Sequence, residues 1–451
     1  MTDPAQLSTN EWIWLSALLG LMVLVVSAAW RSRNPLAWFQ PPLVMLVIYG
    51  YYTVLGPLNA LNEGRWVDRG VDLRYGMEAA WMGAAIAFAS YLIGYWLWPQ
   101  KIRPPQRTSG FNPAQAWRLG QRLNWVGLIL FGSISGSRLL VYLNPLTARQ
   151  ATALTADGLD FGAFANYASL AINLLIPGIL LMTAAWIAQR RNPFPLLAWL
   201  VTAIGIYTTL GFRYRLAILL GPLVMLWFVA TRKRPNPLIV IPSVLGLVLI
   251  AGFVGLTRAY GQGLDLTALE DKTLTDIFLA GFGESVIFLT TGALISMTPA
   301  SHGFVGLTPL INTLLFPIPA QLLPGKNSAE YALAVNEAIY GPVRGQGAAF
   351  MNYGEHYLMG GWPTLILGGL ILGWLTRKLW IWFQQRQQEP LAQVTYVCAV
   401  GYLYVVVSRG YLPQVTMLFC FTVLPLFLLY RWTSRPVTSS PPAIVAPPHA
   451  G

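Results

Sequence analysis

The sequence predicts an all-α integral membrane protein whose helices cross the bilayer many times. Of its 451 residues, 55% are hydrophobic and only 10% are charged, a composition typical of a membrane-embedded chain. The apolar runs extend over about 18 to 22 residues, the length that a helix needs to span the hydrocarbon layer. A transmembrane β-barrel would instead show short segments of alternating hydrophobicity.

About thirteen apolar runs have this length, within a range of about 11 to 14. They are 11–30, 38–58, 78–98, 123–143, 166–188, 194–211, 214–230, 238–257, 276–297, 304–323, 362–381, 391–408 and 412–430. Glu284 interrupts run 276–297 and three prolines interrupt run 304–323, so either run can be re-entrant. Residues 1–433 are predicted to form one transmembrane domain, and the Pro-rich tail 434–451 is predicted to be disordered.

The basic residues predict how the helices are oriented. Alternate loops hold 17 of the 29 lysines and arginines but a single acid, Glu389. These loops are 31–37, 99–122, 189–193, 231–237, 377–390 and 431–451. Because cytoplasmic loops retain an excess of basic residues, the N-terminus is predicted outside and the C-terminus inside. The same loops explain the net charge of +12, so no nucleic-acid partner is expected.

Ten arginines lie on the opposite, outer side, where the excess of basic residues that marks cytoplasmic loops does not explain them. They are Arg65, Arg69, Arg74, Arg138, Arg149, Arg213, Arg215, Arg258, Arg344 and Arg409. The arginine fork matches two phosphate oxygens at once, so a cluster of them predicts a site for a phosphate or diphosphate. For Arg65, Arg69 and Arg74, which alternate with acids, we expect ion pairs instead. Arg213, Arg215 and Arg409 lie in turns without a nearby acid, and for them both interpretations stay open.

The longest polar interruption in the second half is the segment 323–361, which is predicted to cover a site at the outer face. It contains Lys326, Glu330, Glu337, Arg344, Glu355 and His356. Glu355 and His356 directly precede an apolar run, and either side chain is a candidate proton acceptor for a hydroxyl group. The alternatives are an ion pair between Glu355 and Arg344, and an ordinary interfacial role for His356.

No cofactor is expected. The chain lacks a GxxxxGK[ST] nucleotide-binding motif, its three histidines are widely separated, and no metal site is predicted. Arginines would then stabilise a leaving diphosphate in place of a metal ion. Glu284 is expected about 12 Å inside its helix. There it pairs with an arginine, binds a sugar hydroxyl or moves protons.

The chain resembles the bacterial oligosaccharide repeat-unit polymerases (the O-antigen or exopolysaccharide polymerases of the Wzy type), which are related to O-antigen ligases. The resemblance rests on GFRYRLAILLGPL at 211–223, NYGEHYLMGGWPTLILGGLILGW at 352–374, SRG at 408–410, and the large outer loop. It implies a GT-C-like membrane glycosyltransferase in the bacterial cytoplasmic membrane. The donor and acceptor would be oligosaccharides linked to polyprenyl diphosphate, and the partners membrane lipid, a flippase and a chain-length regulator.

By this resemblance, Arg213, Arg215 and Arg409 would hold the lipid diphosphate, and Glu355 or His356 would assist the acceptor. Arg258 and Arg344 complete the set of five predicted diphosphate ligands. An O-antigen ligase is the nearest alternative, because it uses the same donor. A transporter or flippase of lipid-linked sugars is the alternative from another class. It predicts charge near the bilayer midplane and internal repeats.

Overall fold

A computed structural model describes residues 6–98, 107–109, 112–143, 158–159, 161–190, 192–259, 263–319, 322–323, 330–342 and 349–436. Of the described residues, 79% are helical and almost none form sheet, which agrees with the prediction of an all-α membrane protein.

The described residues form 21 α-helices. In chain order they are α1 Thr9–Arg31, α2 Pro41–Tyr49, α3 Gly56–Asn62, α4 Met77–Trp96, α5 Pro113–Ser135, α6 Arg138–Leu143, α7 Ala165–Leu170, α8 Leu175–Gln189, α9 Phe194–Thr209, α10 Arg213–Thr231, α11 Pro237–Thr257, α12 Leu274–Ala280, α13 Val286–Met297, α14 Thr308–Leu315, α15 Glu330–Tyr340, α16 Asn352–Gly360, α17 Trp362–Gln384, α18 Pro390–Gly401, α19 Leu403–Ser408, α20 Leu412–Thr422 and α21 Leu424–Thr433. Three antiparallel strand pairs join β1 Val67–Asp68 to β2 Val71–Asp72, β3 Arg107–Ser109 to β6 Ser434–Pro436, and β4 Arg258–Ala259 to β5 Gly263–Leu264.

Eight helical segments within the described residues are long and apolar enough to cross a membrane. They are Thr9–Arg31, Pro41–Asn62, Arg74–Trp96, Ala165–Gln189, Arg213–Thr231, Pro237–Thr257, Trp362–Gln384 and Pro390–Ser408. The pair α20 and α21, bent by 42°, makes a ninth if it is one span. Helices α9 and α13 are apolar but shorter. The count of about thirteen therefore stays a prediction.

Two predicted segments have different bounds in the structure. Helix α5 begins ten residues before the predicted run 123–143, because Asn112 and Gln115 form a capping box and Pro113 occupies the first helical position. Of the predicted run 304–323, only α14 is helical among the residues described there. Its eight residues span about 12 Å, too short to cross the bilayer.

Close backbone contacts hold the central helices together. A Cβ atom on Gly94 of α4 would lie 2.2 Å from the Leu370 carbonyl oxygen of α17, and one on Gly373 would lie 2.1 Å from the Tyr91 carbonyl oxygen. Small residues at such crossings let membrane helices approach closely and gain dispersion contacts. Helices α4 and α17 therefore form a tightly packed pair.

A π-helical turn at Gly50–Leu55 joins α2 to α3 inside one span. The wider turn changes which backbone carbonyl oxygens are hydrogen-bonded within the helix. The carbonyl oxygen of Thr53, in this turn, accepts a hydrogen bond from the indole N–H of the buried Trp81 at 2.7 Å. The turn also directs Tyr51 and Tyr52 toward the segment between α12 and α13.

The strand pair β3–β6 brings together two segments that are far apart in the sequence. Strand β3 lies in segment 99–122 and pairs with β6, so two segments predicted on the cytoplasmic side meet. The predicted disordered tail begins at Ser434, but residues 434–436 are an ordered strand because their backbone pairs with residues 107–109. Residues 437–451 lie outside the described part.

The expected ion pairs of the first outer arginines are confirmed. Arg65 pairs with Glu63 at 2.9 Å and Arg69 with Asp68 at 3.8 Å. Arg74 binds Glu11 of α1 with both terminal guanidinium nitrogens. These three arginines are therefore engaged by acids of the protein itself.

Candidate anion-binding site

Glu284 lies in a break between α12 and α13. A 3-10 turn at Gly283–Ser285 separates the two helices, and the hydroxyl of Tyr51 donates to the carbonyl oxygen of Gly281 just before it. Only 8% of Glu284 is exposed. The interruption that the sequence predicts at this carboxylate is therefore present, and the carboxylate is buried.

Two tyrosines from other helices contact the Glu284 carboxylate. The Tyr52 hydroxyl donates to Glu284 Oε2 at 2.7 Å, and the Tyr404 hydroxyl lies 3.5 Å from the same oxygen. The two hydroxyls are 2.7 Å apart and hydrogen-bond to each other. We call these three residues the Glu284 cluster. It joins the π-turn, the α12–α13 break and α19.

Arg409 brings positive charge to this cluster. It directly follows α19, and its guanidinium carbon lies 5.4 Å from the centre of the Tyr214 ring. It interacts electrostatically with Glu284, Tyr52 and Tyr404. The carboxylate and the arginine, 125 positions apart in the sequence, therefore lie close enough to interact electrostatically.

Arg213 carries the most informative feature of the site. It is the first residue of α10 and is only 8% exposed. Its Nε and Nη1 atoms have no hydrogen-bond partner among the described residues, although it interacts electrostatically with Tyr51 and Tyr404. Leaving buried donors of a charged group unpaired is costly. A bound anion would satisfy both donors.

The backbone of α10 adds to the positive charge around Arg213. A helix N-terminus carries unpaired N–H groups and about half a positive charge. Phe212, which precedes α10, provides no capping side chain, and the first turn contains Arg213 and Arg215 without an acid. Unpaired donors and helix polarity thus both favour an anion at this position.

The structure separates Arg215 from Arg213. Residues two positions apart on a helix do not face the same side. The guanidinium carbon of Arg215 lies 4.5 Å from the Phe212 ring centre and 5.9 Å from that of Tyr207. Arg215 is 6% exposed, and its Nε also has no hydrogen-bond partner among the described residues. Its guanidinium packs among aromatic rings by cation–π contacts, which include the Tyr214 ring at 5.8 Å.

The side chains of the other two predicted diphosphate ligands, Arg258 and Arg344, lie outside the described part of the chain. The backbone of Arg258 belongs to β4 and pairs with Leu264, but its side chain lies outside the described part. Arg344 also lies outside the described part. Of the five predicted diphosphate ligands, the structure brings Arg213 and Arg409 to the Glu284 cluster.

Glu355 and His356 lie on α16 and have different surroundings. Glu355 is 3% exposed, and its Oε1 accepts hydrogen bonds from the Tyr331 hydroxyl at 2.5 Å and the Leu412 backbone N–H at 2.9 Å. His356 is half-buried against Gly368 of α17, where a Cβ would lie 2.2 Å from Nδ1. The two adjacent side chains therefore face different helices.

Burial shifts the pKa of both groups. It raises the pKa of Glu355 to about 7, an effect that the hydrogen bonds from Leu412 and Tyr331 partly oppose. Burial lowers the pKa of His356 to about 4, so its imidazole is neutral at physiological pH.

The raised pKa of Glu355 predicts a stability difference that depends on pH. Between pH 4.5, the usual pKa of the side chain, and about pH 7, the unfolded chain releases a proton that the folded chain keeps. Folding stability therefore falls as the pH rises through this range. The loss is complete above about pH 7 and amounts to about 3 kcal/mol. Glu355→Gln does not titrate, so its thermal midpoint should rise relative to wild type between about pH 5 and about pH 8. Glu337→Gln, which removes an exposed carboxylate on α15, is the control and should follow the wild type. An identical pH profile for Glu355→Gln and wild type would contradict the prediction.

Comparison with known proteins adds no relative. No protein-family model, no curated protein and no solved structure matches this chain. Among the described residues, no three His, Cys, Asp or Glu side chains are grouped as metal ligands would be. The interpretation of the site therefore rests on its own geometry.

The sequence did not indicate the aromatic part of the site. Tyr52, Tyr214 and Tyr404 contact the charged residues, and Tyr51 interacts electrostatically with Glu284 and Arg213. None of these four tyrosines was among the predicted site residues. A signal was present: Tyr51 and Tyr52 are adjacent polar-tipped residues within an apolar span, and such hydroxyls find a partner when buried. Gly255 was also missed. A Cβ there would lie 1.7 Å from Arg213 Nη2, so the guanidinium packs directly on this glycine of α11.

Proposed function

We propose that this protein is a membrane glycosyltransferase that polymerises lipid-linked oligosaccharide repeat units at the outer face of the bacterial cytoplasmic membrane. The observation that carries the proposal is the buried Arg213, whose Nε and Nη1 have no hydrogen-bond partner among the described residues. Arg213 interacts electrostatically with Tyr404 of the Glu284 cluster, as does Arg409. Two arginines, a helix N-terminus and a carboxylate are the groups needed to hold a diphosphate and to accept a proton.

In the proposed reaction, an acceptor hydroxyl of the new repeat unit attacks the anomeric carbon of the growing glycan. The bond from that carbon to the diphosphate oxygen breaks, and polyprenyl diphosphate leaves with the electron pair. Arg213 and Arg409 neutralise the charge that develops on the leaving diphosphate. The proton of the attacking hydroxyl passes to a carboxylate of the protein.

Glu284 is the proposed proton acceptor that the geometry favours. Its carboxylate interacts electrostatically with Arg409. The two hydrogen bonds described for the Glu355 carboxylate come instead from Tyr331 and Leu412. His356 faces α17. A general base must reach the proton that it removes, so a carboxylate beside the diphosphate ligands fits this role better than Glu355 or His356.

Reconstitution with a defined substrate tests the proposal. Purified protein in liposomes is given polyprenyl-diphosphate repeat units of the source organism, and glycan length is measured. A ladder of longer lipid-linked chains supports a polymerase. Transfer to a lipid A core acceptor without a ladder would identify a ligase, since the donor is shared. No transfer to either acceptor would refute the glycosyltransferase proposal.

One observation favours a transporter as the second candidate. The segment from α12 to α13 is discontinuous and carries the buried Glu284, and broken helices with buried charge are typical of transport sites. The same liposomes distinguish the two functions. A transporter would move labelled lipid-linked oligosaccharide between leaflets without lengthening the glycan.

Substitution of Gly255 tests the role of Arg213 without substituting the arginine itself. Gly255→Ala puts a methyl group where Arg213 Nη2 lies, so the flexible arginine side chain must move. We expect elongation to fall at least about tenfold. Gly246→Ala is the matched control on α11, because a Cβ there meets nothing within 4 Å. Equal activity of the two variants would contradict a role for the position of Arg213.

A further inference from the structure

Glu355 occupies a joint between three parts of the chain. Its carboxylate on α16 binds the hydroxyl of Tyr331 on α15 and the backbone N–H of Leu412 at the start of α20. The Tyr331 ring also contacts the Tyr411 ring, with centres 5.5 Å apart. One buried side chain thus connects the predicted outer loop to the segment that follows Arg409.

The hydrogen bond from Leu412 to Glu355 acts as an N-terminal cap of α20, and the capping side chain belongs to another helix, α16. Leu412 is the first residue of α20, and Tyr411 before it gives no side-chain cap. The first N–H groups of a helix need an outside acceptor, and a carboxylate also complements the positive end of the helix. Glu355 supplies this acceptor.

A second contact fixes the same segment one residue after Arg409. The Gly410 N–H donates to the Phe350 carbonyl oxygen at 2.6 Å, and a Cβ on Gly410 would lie 2.6 Å from the Met351 carbonyl oxygen. Met351 is itself anchored, because its N–H donates to Thr291 Oγ1 of α13 at 2.8 Å. The stretch that precedes α16 therefore lies directly against the turn after Arg409.

We propose that Glu355 is a positioning residue that holds the turn carrying Arg409 and links it to loop helix α15, and that it does not remove the acceptor proton. Arg409 lies between the end of α19 and these two contacts, so the path of the chain after it determines where its guanidinium points. The role in glycan transfer rests on the proposed function. The structural role of the joint does not.

Two substitutions separate positioning from base catalysis. The amide oxygen of glutamine accepts both hydrogen bonds of Glu355 but cannot take up the proton, whereas alanine removes both contacts. We expect Glu355→Gln to elongate glycan within about fivefold of wild type, since two hydrogen bonds to a charged acceptor become neutral ones. Glu355→Ala should lose about a hundredfold, because Arg409 is displaced.

Amide hydrogen exchange gives a measurement that does not depend on activity. Peptides covering residues 409–413 should exchange about tenfold faster in Glu355→Ala than in wild type and remain protected in Glu355→Gln. This result supports the joint even if the wild type elongates no glycan, an outcome that would refute only the proposed function.

Two outcomes would overturn the proposal. One is unchanged exchange at residues 409–413 in Glu355→Ala. The other is a loss of elongation in Glu355→Gln as large as in Glu355→Ala while its exchange stays protected, which would make Glu355 the proton acceptor. If Glu355→Ala does not fold, the activity of Glu355→Gln decides between the same two roles.

Discussion

Arg213→Ala and Arg409→Ala should each reduce glycan elongation by at least about a hundredfold, the usual effect of removing one group that stabilises charge in a transition state. Both arginines lie beside the Glu284 cluster, and two Arg213 donors are unpaired among the described residues. The lysine variants keep the charge but lose the two-donor fork, so they should recover only part of the activity.

The design includes a control and a second measurement. Arg65→Ala removes an arginine that is 68% exposed and paired with Glu63, and it should elongate glycan as the wild type does. Binding of a short polyprenyl diphosphate should weaken in Arg213→Ala and Arg409→Ala but not in Arg65→Ala. Retained lipid-diphosphate binding in both site variants would refute the proposed role of these arginines.

Glu284→Gln should lower the rate of elongation by about a hundredfold or more while leaving lipid-diphosphate binding intact or tighter. Glutamine still accepts the hydrogen bond that Tyr52 donates at 2.7 Å, but it cannot take up a proton, and general base catalysis is typically worth this factor. Removal of a negative charge beside Arg409 also favours an incoming anion. The rate and the affinity are therefore expected to change independently.

This separation makes the result specific. Tyr52→Phe keeps the carboxylate and removes one hydroxyl that contacts it, so it should elongate faster than Glu284→Gln. If Glu284→Gln elongates as well as the wild type, Glu284 is not the proton acceptor. If it loses activity and diphosphate binding together, its role is to shape the pocket.

The sequence predicted the fold class and several members of the site because those signals are local. Long apolar runs gave the membrane helices, neighbouring acids indicated the partners of Arg65 and Arg69, and a carboxylate within an apolar run marked Glu284. Each of these signals is contained within a short stretch of the chain.

The arrangement of the site was not predictable in this way. Arg213, Glu284 and Arg409 all interact electrostatically with Tyr404, which is possible only because α10, the α12–α13 break and the end of α19 lie near one another in the fold. Arg215, which has the same residue type and nearly the same position as Arg213, faces aromatic rings instead. The space that Gly255 leaves for Arg213 is a property of two packed helices and has no counterpart in either segment alone.

The π-helical turn at Gly50–Leu55 makes the length of this span more critical than its composition. Such a turn accommodates one more residue than an α-helical turn, and it shifts the angular phase of everything beyond it by about 100°. A one-residue deletion here would restore regular α-helical phase. A deletion before Tyr52 would rotate Tyr52 and Thr53 together by about 100° relative to α2, so the contacts with Glu284 and Trp81 would both be lost unless α2 moved. Substitutions that preserve the residue count leave this alignment possible, so related chains should vary in sequence here while keeping the same number of residues.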